Sequence, residues 1–191
     1  MYKDMTKLLK DASVGEYKLE HFEIPDNDLY ALFHHIPSGH FVRLTHSGEV
    51  VMSNTQMEKD TNLDFVNHAH GDILIGGLGI GLVLMAIQDK KEVNSITVIE
   101  HSPEVIELIK DQLPLNDKVK IVLADVFQYV PNKKYNVIYL DIWNYINSDI
   151  YREEMLPLME YYAEYLVSEQ EDPNRYLDCW CKIEAMNDVN I

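Results

Sequence analysis

Asp72-Ile-Leu-Ile-Gly-Gly-Leu-Gly-Ile-Gly81 is the stretch that most narrows the folds open to this 191-residue chain. A short apolar run closed by Gly76, Gly77, Gly79 and Gly81 reads as a buried strand that turns at once into a helix, Leu82 to Ile87. Glycines at such a junction let the main chain turn sharply and come close to a neighbour or a ligand. The same rhythm continues downstream. Ile96 to Ile99 is a β-branched run, and Ser102-Pro103 opens a helix, with the hydroxyl as cap and proline at the first helical position. That helix carries Val105, Ile106, Leu108 and Ile109 inward. Lys120 to Leu123 and Tyr135 to Leu140 are further apolar strands. Strands separated by helical stretches predict parallel pairing through crossover helices, and strands apolar along their whole length predict burial on both faces. The expected fold is α/β, a Rossmann-like open and mostly parallel sheet over residues 55–191.

Residues 1–54 follow another pattern. Tyr17 to Ile24 alternates weakly, Leu29 to Ile36 is a mainly apolar run stopped by Pro37-Ser-Gly39, and His40 to Leu44 and Glu49 to Met52 flank Ser47-Gly48. Short runs split by turn residues predict a small antiparallel β appendage. Thr55-Gln-Met-Glu58 has the form of a capping box, opening a helix with Met57, Phe65, Val66 and Ala69 as its apolar stripe. Late in the chain, residues 152–167 place Met155, Leu158, Met159, Tyr162, Tyr165 and Leu166 at helical spacing, with Pro157 marking a start or a kink. Tyr176 to Ala185 suits either a strand or a last helix.

Composition removes several function classes. With 32 acidic and 16 basic side chains the net charge is −16. Such a surface repels phosphate backbones, so no nucleic-acid partner is expected. No apolar run reaches the roughly 20 residues of a membrane span, and the first twelve residues hold no apolar signal core. The two cysteines, Cys179 and Cys181, make no disulfide framework, and a cytoplasmic location is the expectation.

Three carboxylates sharpen the glycine signal. Glu100 ends the second strand, Asp125 lies just past the third in Leu-Ala-Asp-Val126, and Asp141 lies just past the fourth in Tyr-Leu-Asp-Ile142. Ligands of open α/β sheets bind at the carboxyl ends of the strands, and a carboxylate after the second strand can accept from both hydroxyls of a ribose. Each acid alone reads as a solvated loop charge. In order, at matched strand ends, they mark one nucleoside-sized cleft.

Residues 71–141 resemble the nucleoside-binding half of class I S-adenosylmethionine-dependent methyltransferases, and most of all their spermidine-synthase-like branch. The strings that carry the likeness are ILIGGLGIG, TVIEHSPEVIELI, KIVLADVFQYV and YNVIYLDIW. The resemblance implies S-adenosylmethionine as cofactor, held by Gly76, Gly77, Gly79 and Gly81 along its methionine and ribose. Glu100 would hold the ribose hydroxyls, His101 would flank the adenine, and Asp125 with the Val126 amide would meet the adenine edge. It also implies Asp141 as the catalytic acid on the acceptor side, ionised and within reach of the attacking atom. The chain departs from polyamine synthases in two places. Met52 stands where they carry glutamine, and Asp141 is followed by Ile-Trp-Asn-Tyr. The stretch after Asp141 is expected to be too short for a fifth strand, two helices and a terminal hairpin, so the sheet is expected to be truncated. Methyl transfer to a small-molecule acceptor is the expected activity. Aminopropyl transfer, or a non-catalytic binding or interaction module, is the alternative.

Other residues have ordinary and chemical readings side by side. His68 and His70 suit a helix end as well as a metal, and His34, His35 and His40 lie on expected strands around a turn. No metal site is assigned. Trp143 and Tyr145 could wall a cationic group, while Tyr161 and Tyr162 follow the pocket in sequence. The free sheet edge and the apolar helix make a homodimer an expectation.

Overall fold

The alternation of the first third becomes a sheet. In the computed structural model, which describes residues 2–33 and 35–189, a short helix α1 (Met5–Leu8) precedes four antiparallel strands paired in chain order. These are β1 (Ala12–Val14), β2 (Tyr17–Ile24), β3 (Gly39–His46) and β4 (Glu49–Ser53). The run at Leu29 is not a strand. It forms α2 (Leu29–Phe33), because the Asp28 carboxylate accepts the Ala31 N–H and starts a helix locally. His34 lies outside the described residues. His35 follows α2 at φ +56, and His40 is exposed on β3.

The expected capping box is not made. Thr55 forms no side-chain cap to α3 (Gln56–Thr61), and the Glu58 carboxylate takes the Ser53 N–H instead. A second short helix, α4 (Leu63–His68), carries the buried Phe65 and Val66, while Met57 stays exposed.

The second sheet is parallel throughout. Its strands are β5 (Gly71–Gly76), β6 (Val93–Glu100), β7 (Val119–Leu123), β8 (Val137–Leu140) and β9 (Tyr176–Cys179), in the order β7-β6-β5-β8-β9. The helix α5 (Leu82–Ile87) links β5 to β6, and α6 (Pro103–Ile109) links β6 to β7. Ser102 caps α6 as its sequence predicts, its Oγ accepting the Val105 N–H. The late helix is composite: α7 (Ser148–Ile150), a π turn over Tyr151–Met155, then α8 (Leu156–Ala163) with Pro157 in its first turn. Of the set that the tail is expected to be too short for, the fifth strand and flanking helices form, and no terminal hairpin follows among the described residues. Tyr176 to Ala185 divides into that strand and α9 (Lys182–Met186). β7 departs from the expectation of two buried faces, since it is an edge strand and Leu123 is largely exposed.

Two apolar clusters hold the layers. One joins Leu19, Val42 and Leu44 of the first sheet to Ile73, Ile75 and Val98 of the second. The other packs Leu74, Ile138 and Leu140 against Met155, Leu158 and Tyr162. The strand order reverses between β5 and β8, which makes that pair the switch point, and a crevice is expected beyond their carboxyl ends. No helix among the described residues is long and apolar enough to cross a membrane.

Candidate functional site

The glycine loop is tied to its neighbours before any ligand enters. Asp141 N–H donates to Gly76 O and Gly77 N–H donates to Ile99 O, each at 2.8 Å. Gly77 sits at φ +94, and a Cβ there would lie 2.0 Å from the Asp141 carbonyl oxygen. Only glycine lets the chain cross the end of β8 this closely. Gly79 packs in the same way against the Met52 sulfur, which a Cβ would approach to 2.2 Å. Gly76 and Gly81 line neither of the two cavities at the crevice. A Cβ on Gly76 would meet Leu140 and Val126, and one on Gly81, where α5 begins, would meet Leu113.

Glu100 is almost fully buried and already engaged. Its Oε2 accepts the Leu78 N–H at 2.9 Å and its Oε1 accepts the Ser102 N–H at 2.8 Å, clamping the glycine loop and the start of α6 to the end of β6. A carboxylate has about four lone-pair sites, so acceptor capacity remains toward the crevice. His101 is exposed, with Nδ1 3.2 Å from Glu100 Oε1.

The two adjoining cavities share Gly77, Glu100, His101, Ile142 and Trp143 as walls. The outer one, about 530 Å³, extends over Asp125, Val126 and Phe127. Asp125 is exposed, and its carboxylate accepts the Phe127 N–H and the Gln128 side-chain amide. That turn is anchored from below, where Tyr162 donates its hydroxyl hydrogen to Val126 O at 2.8 Å. The Val126 N–H has no acceptor among the described residues, and Val126 borders the cavity.

The inner cavity is small, about 80 Å³, and the first sheet supplies one wall of it through Tyr17, Leu44, Val51 and Met52. Asp141, Glu58, Trp143 and Trp180 line it as well. Both indoles are fixed, Trp143 Nε1 donating to Glu154 at 2.7 Å and Trp180 Nε1 to Thr61 Oγ1 at 3.0 Å. Burial pushes the Glu58 carboxyl up to about 7, with its Ser53 hydrogen bond pulling the other way. Burial first, and then the charge of Glu58, raise Asp141 well above the carboxylate range. Asp141 thus reaches the expected cavity, in surroundings that disfavour its charged form.

Sequence reasoning missed Glu58, Trp180 and Tyr17. Glu58 carried a signal, but one that pointed to helix capping. Nothing in sequence spacing connects residue 17 or 180 to the glycine loop. Tyr145 is exposed and borders neither cavity. Tyr161 and Tyr162 pack edge to face beneath the Val126 turn. His68 stacks on Tyr176, and His70 bonds Asp172. Among the described residues no group of His, Cys, Asp or Glu could hold a metal ion, and both cysteines are buried and free.

No protein-family model and no curated protein matches the sequence. Solved structures of similar architecture include the DhpI–SAH complex, at 16% identity and a TM-score of 0.47 over 63% of this chain and 54% of that one. The N-methyltransferase NodS from Bradyrhizobium japonicum WM9, in complex with S-adenosyl-L-homocysteine, is similar at 13% identity and 0.47 over 60% and 59%. The plantazolicin methyltransferase BpumL in complex with SAH is similar at 23% identity and 0.39 over 57% and 39%. This chain therefore spans less than two thirds of each of those chains.

Proposed function

We propose that the chain binds S-adenosylmethionine in the outer cavity and directs methyl transfer to a small-molecule acceptor in the inner one. The observation that carries this reading is the convergence of Gly77, Glu100, Asp125 and Val126 on one 530 Å³ space at the sheet's switch point. The volume falls within the range of small-molecule sites, roughly 300–1,000 Å³. The residues suit the ligand. Glu100 keeps lone pairs for ribose hydroxyls, Asp125 can accept from an exocyclic amine, and the Val126 N–H is a donor for a ring nitrogen. When bound, the sulfonium supplies an activated methyl group. The protein's part is then to place the acceptor in line with it and to keep water from the small inner cavity, where proximity alone can lower the barrier by several kcal/mol. Aminopropyl transfer to the same acceptor position is the variant within this reading, in keeping with the spermidine-synthase-like sequence strings.

Calorimetry with S-adenosylhomocysteine tests it. Micromolar binding is expected, weakened at least tenfold in Asp125→Ala and in Glu100→Ala. Absence of any heat or thermal shift at millimolar ligand would remove the cofactor from the proposal. Mass spectrometry of the products of turnover separates methyl from aminopropyl transfer.

A further inference from the structure

Glu58 reaches the inner cavity from outside the parallel sheet. It stands on α3, just after the first sheet ends, and its side chain is almost fully buried. No lysine or arginine lines the cavity, and Trp143, Trp180, Tyr17 and Met52 make most of its wall apolar. Two carboxyl groups in such a space cannot both ionise without a large desolvation cost, so the pair retains a proton at neutral pH. The surroundings decide which member keeps it. Glu58 has a donor, the Ser53 N–H, 3.3 Å from Oε1. The Asp141 carboxyl, on a half-buried residue, accepts no hydrogen bond from the described residues and pairs with no cation among them, and the Asp141 main chain is pinned by β5 and Gly77. A negative charge settles where an N–H meets it, and a proton stays where none does.

We infer that Glu58, not Asp141, takes the acceptor's proton in this cavity, and that Asp141 stays protonated beside it as a hydrogen-bond donor. The assignment rests on the methyl-transfer reading of the adjoining cavity. The acceptor it suits is an amine or hydroxyl that arrives carrying its proton. In the transfer, the acceptor's nitrogen or oxygen bonds to the methyl carbon as the carbon–sulfur bond breaks. The electron pair of that bond stays on sulfur, and the acceptor's proton passes to a Glu58 carboxylate oxygen and later to water. Other titratable groups surround Glu58. Tyr2 and Cys181 lie behind it and burial holds both protonated to about 12. Tyr17 lines the wall, Glu100 is occupied by two amides, and His101 is exposed at the rim.

Carboxyl-carbon NMR of the full chain, labelled at glutamate Cδ and aspartate Cγ and titrated from pH 4 to 9 without cofactor, tests the assignment. One glutamate carboxyl is expected to titrate near pH 7, far above the ordinary glutamate value of about 4.3. One aspartate is expected to remain protonated beyond that point. The glutamate signal disappears in Glu58→Gln and keeps its midpoint within half a unit in Asp141→Asn. If no glutamate titrates above pH 6, or if an aspartate lost in Asp141→Asn ionises before it, the roles are reversed and the inference fails. Where one variant does not fold, the wild-type titration read beside the other variant, which removes one of the two signals, decides this. It also decides it independently of whether S-adenosylhomocysteine binds.

Discussion

Replacing Glu100 by glutamine separates two roles that coincide at this residue. As a ribose ligand alone, Glu100 would be an ordinary acid waiting in a cleft, and its removal would leave the free protein's stability within about 0.5 kcal/mol, as for most surface changes. The structure predicts otherwise. Glu100 is 5% exposed, and its two oxygens each accept a backbone N–H, from Leu78 and Ser102. Glutamine keeps the shape but offers one oxygen. Its amino group must face one of those N–H donors at under 3 Å, donor against donor. A hydrogen bond to a charged acceptor is lost, about 1.5–3 kcal/mol, and a buried N–H is left without a partner, costing about 1–3 kcal/mol more. Some loop adjustment relieves the contact, so a net loss of about 3 kcal/mol is expected. For a chain of this size that is a fall of roughly 6–12 °C in Tm. Urea unfolding of the ligand-free protein, with Asp125→Asn as the exposed control, reads the effect directly. A Glu100→Gln stability within about 0.5 kcal/mol of wild type would refute the clamp and leave the glycine loop held by its main-chain contacts alone.

Two predictions concern pH. Glu58 has a folded pKa of about 7, raised above its unfolded value, so folding favours its protonated form; its contribution is complete below about pH 4 and is lost as pH rises through 7. Glu58→Gln, which keeps an acceptor for Ser53, should therefore gain stability relative to wild type between pH 5 and 8, by up to about 3 kcal/mol; a difference that does not change with pH counts against a buried ionisable group there. For His70, burial opposes the charge, but the His68 carbonyl and the Asp172 carboxylate outweigh it and raise the pKa. Its stabilising share is full below about pH 6.5 and fades as pH rises through the raised value. Asp172 is likewise desolvated, yet bonds from Asn136 and His70 lower it, so its share fades only in acid. Unfolding free energies should separate wild type from His70→Gln more at pH 6 than at pH 8. An equal or larger gap at pH 8 would place the cost in packing instead.

The parallel sheet was legible because each of its first four strands carries its own signal. The run at Ile73 is apolar on both faces because β5 is central, and Ser102-Pro103 is a helix start wherever it occurs. The fifth strand was not legible. Tyr176 to Cys179 is four residues long and mixed in polarity, and β8 is its one strand neighbour among the described residues. The Leu29 run misled in the opposite sense, because apolar residues alone do not distinguish a strand from a short helix, and the decisive contact is the Asp28 cap.

The order of strand, glycine turn and helix, and the carboxylates stationed after each strand, belong to the sequence alone, since they depend on backbone freedom and on periodicities of a few residues. That the first sheet roofs the inner cavity, that Glu58 faces Asp141 there, and that Glu100 spends its oxygens on two amides were decided only by the tertiary structure. Desolvation and hydrogen bonding depend on which distant groups come within a few ångströms, and no local pattern records that distance.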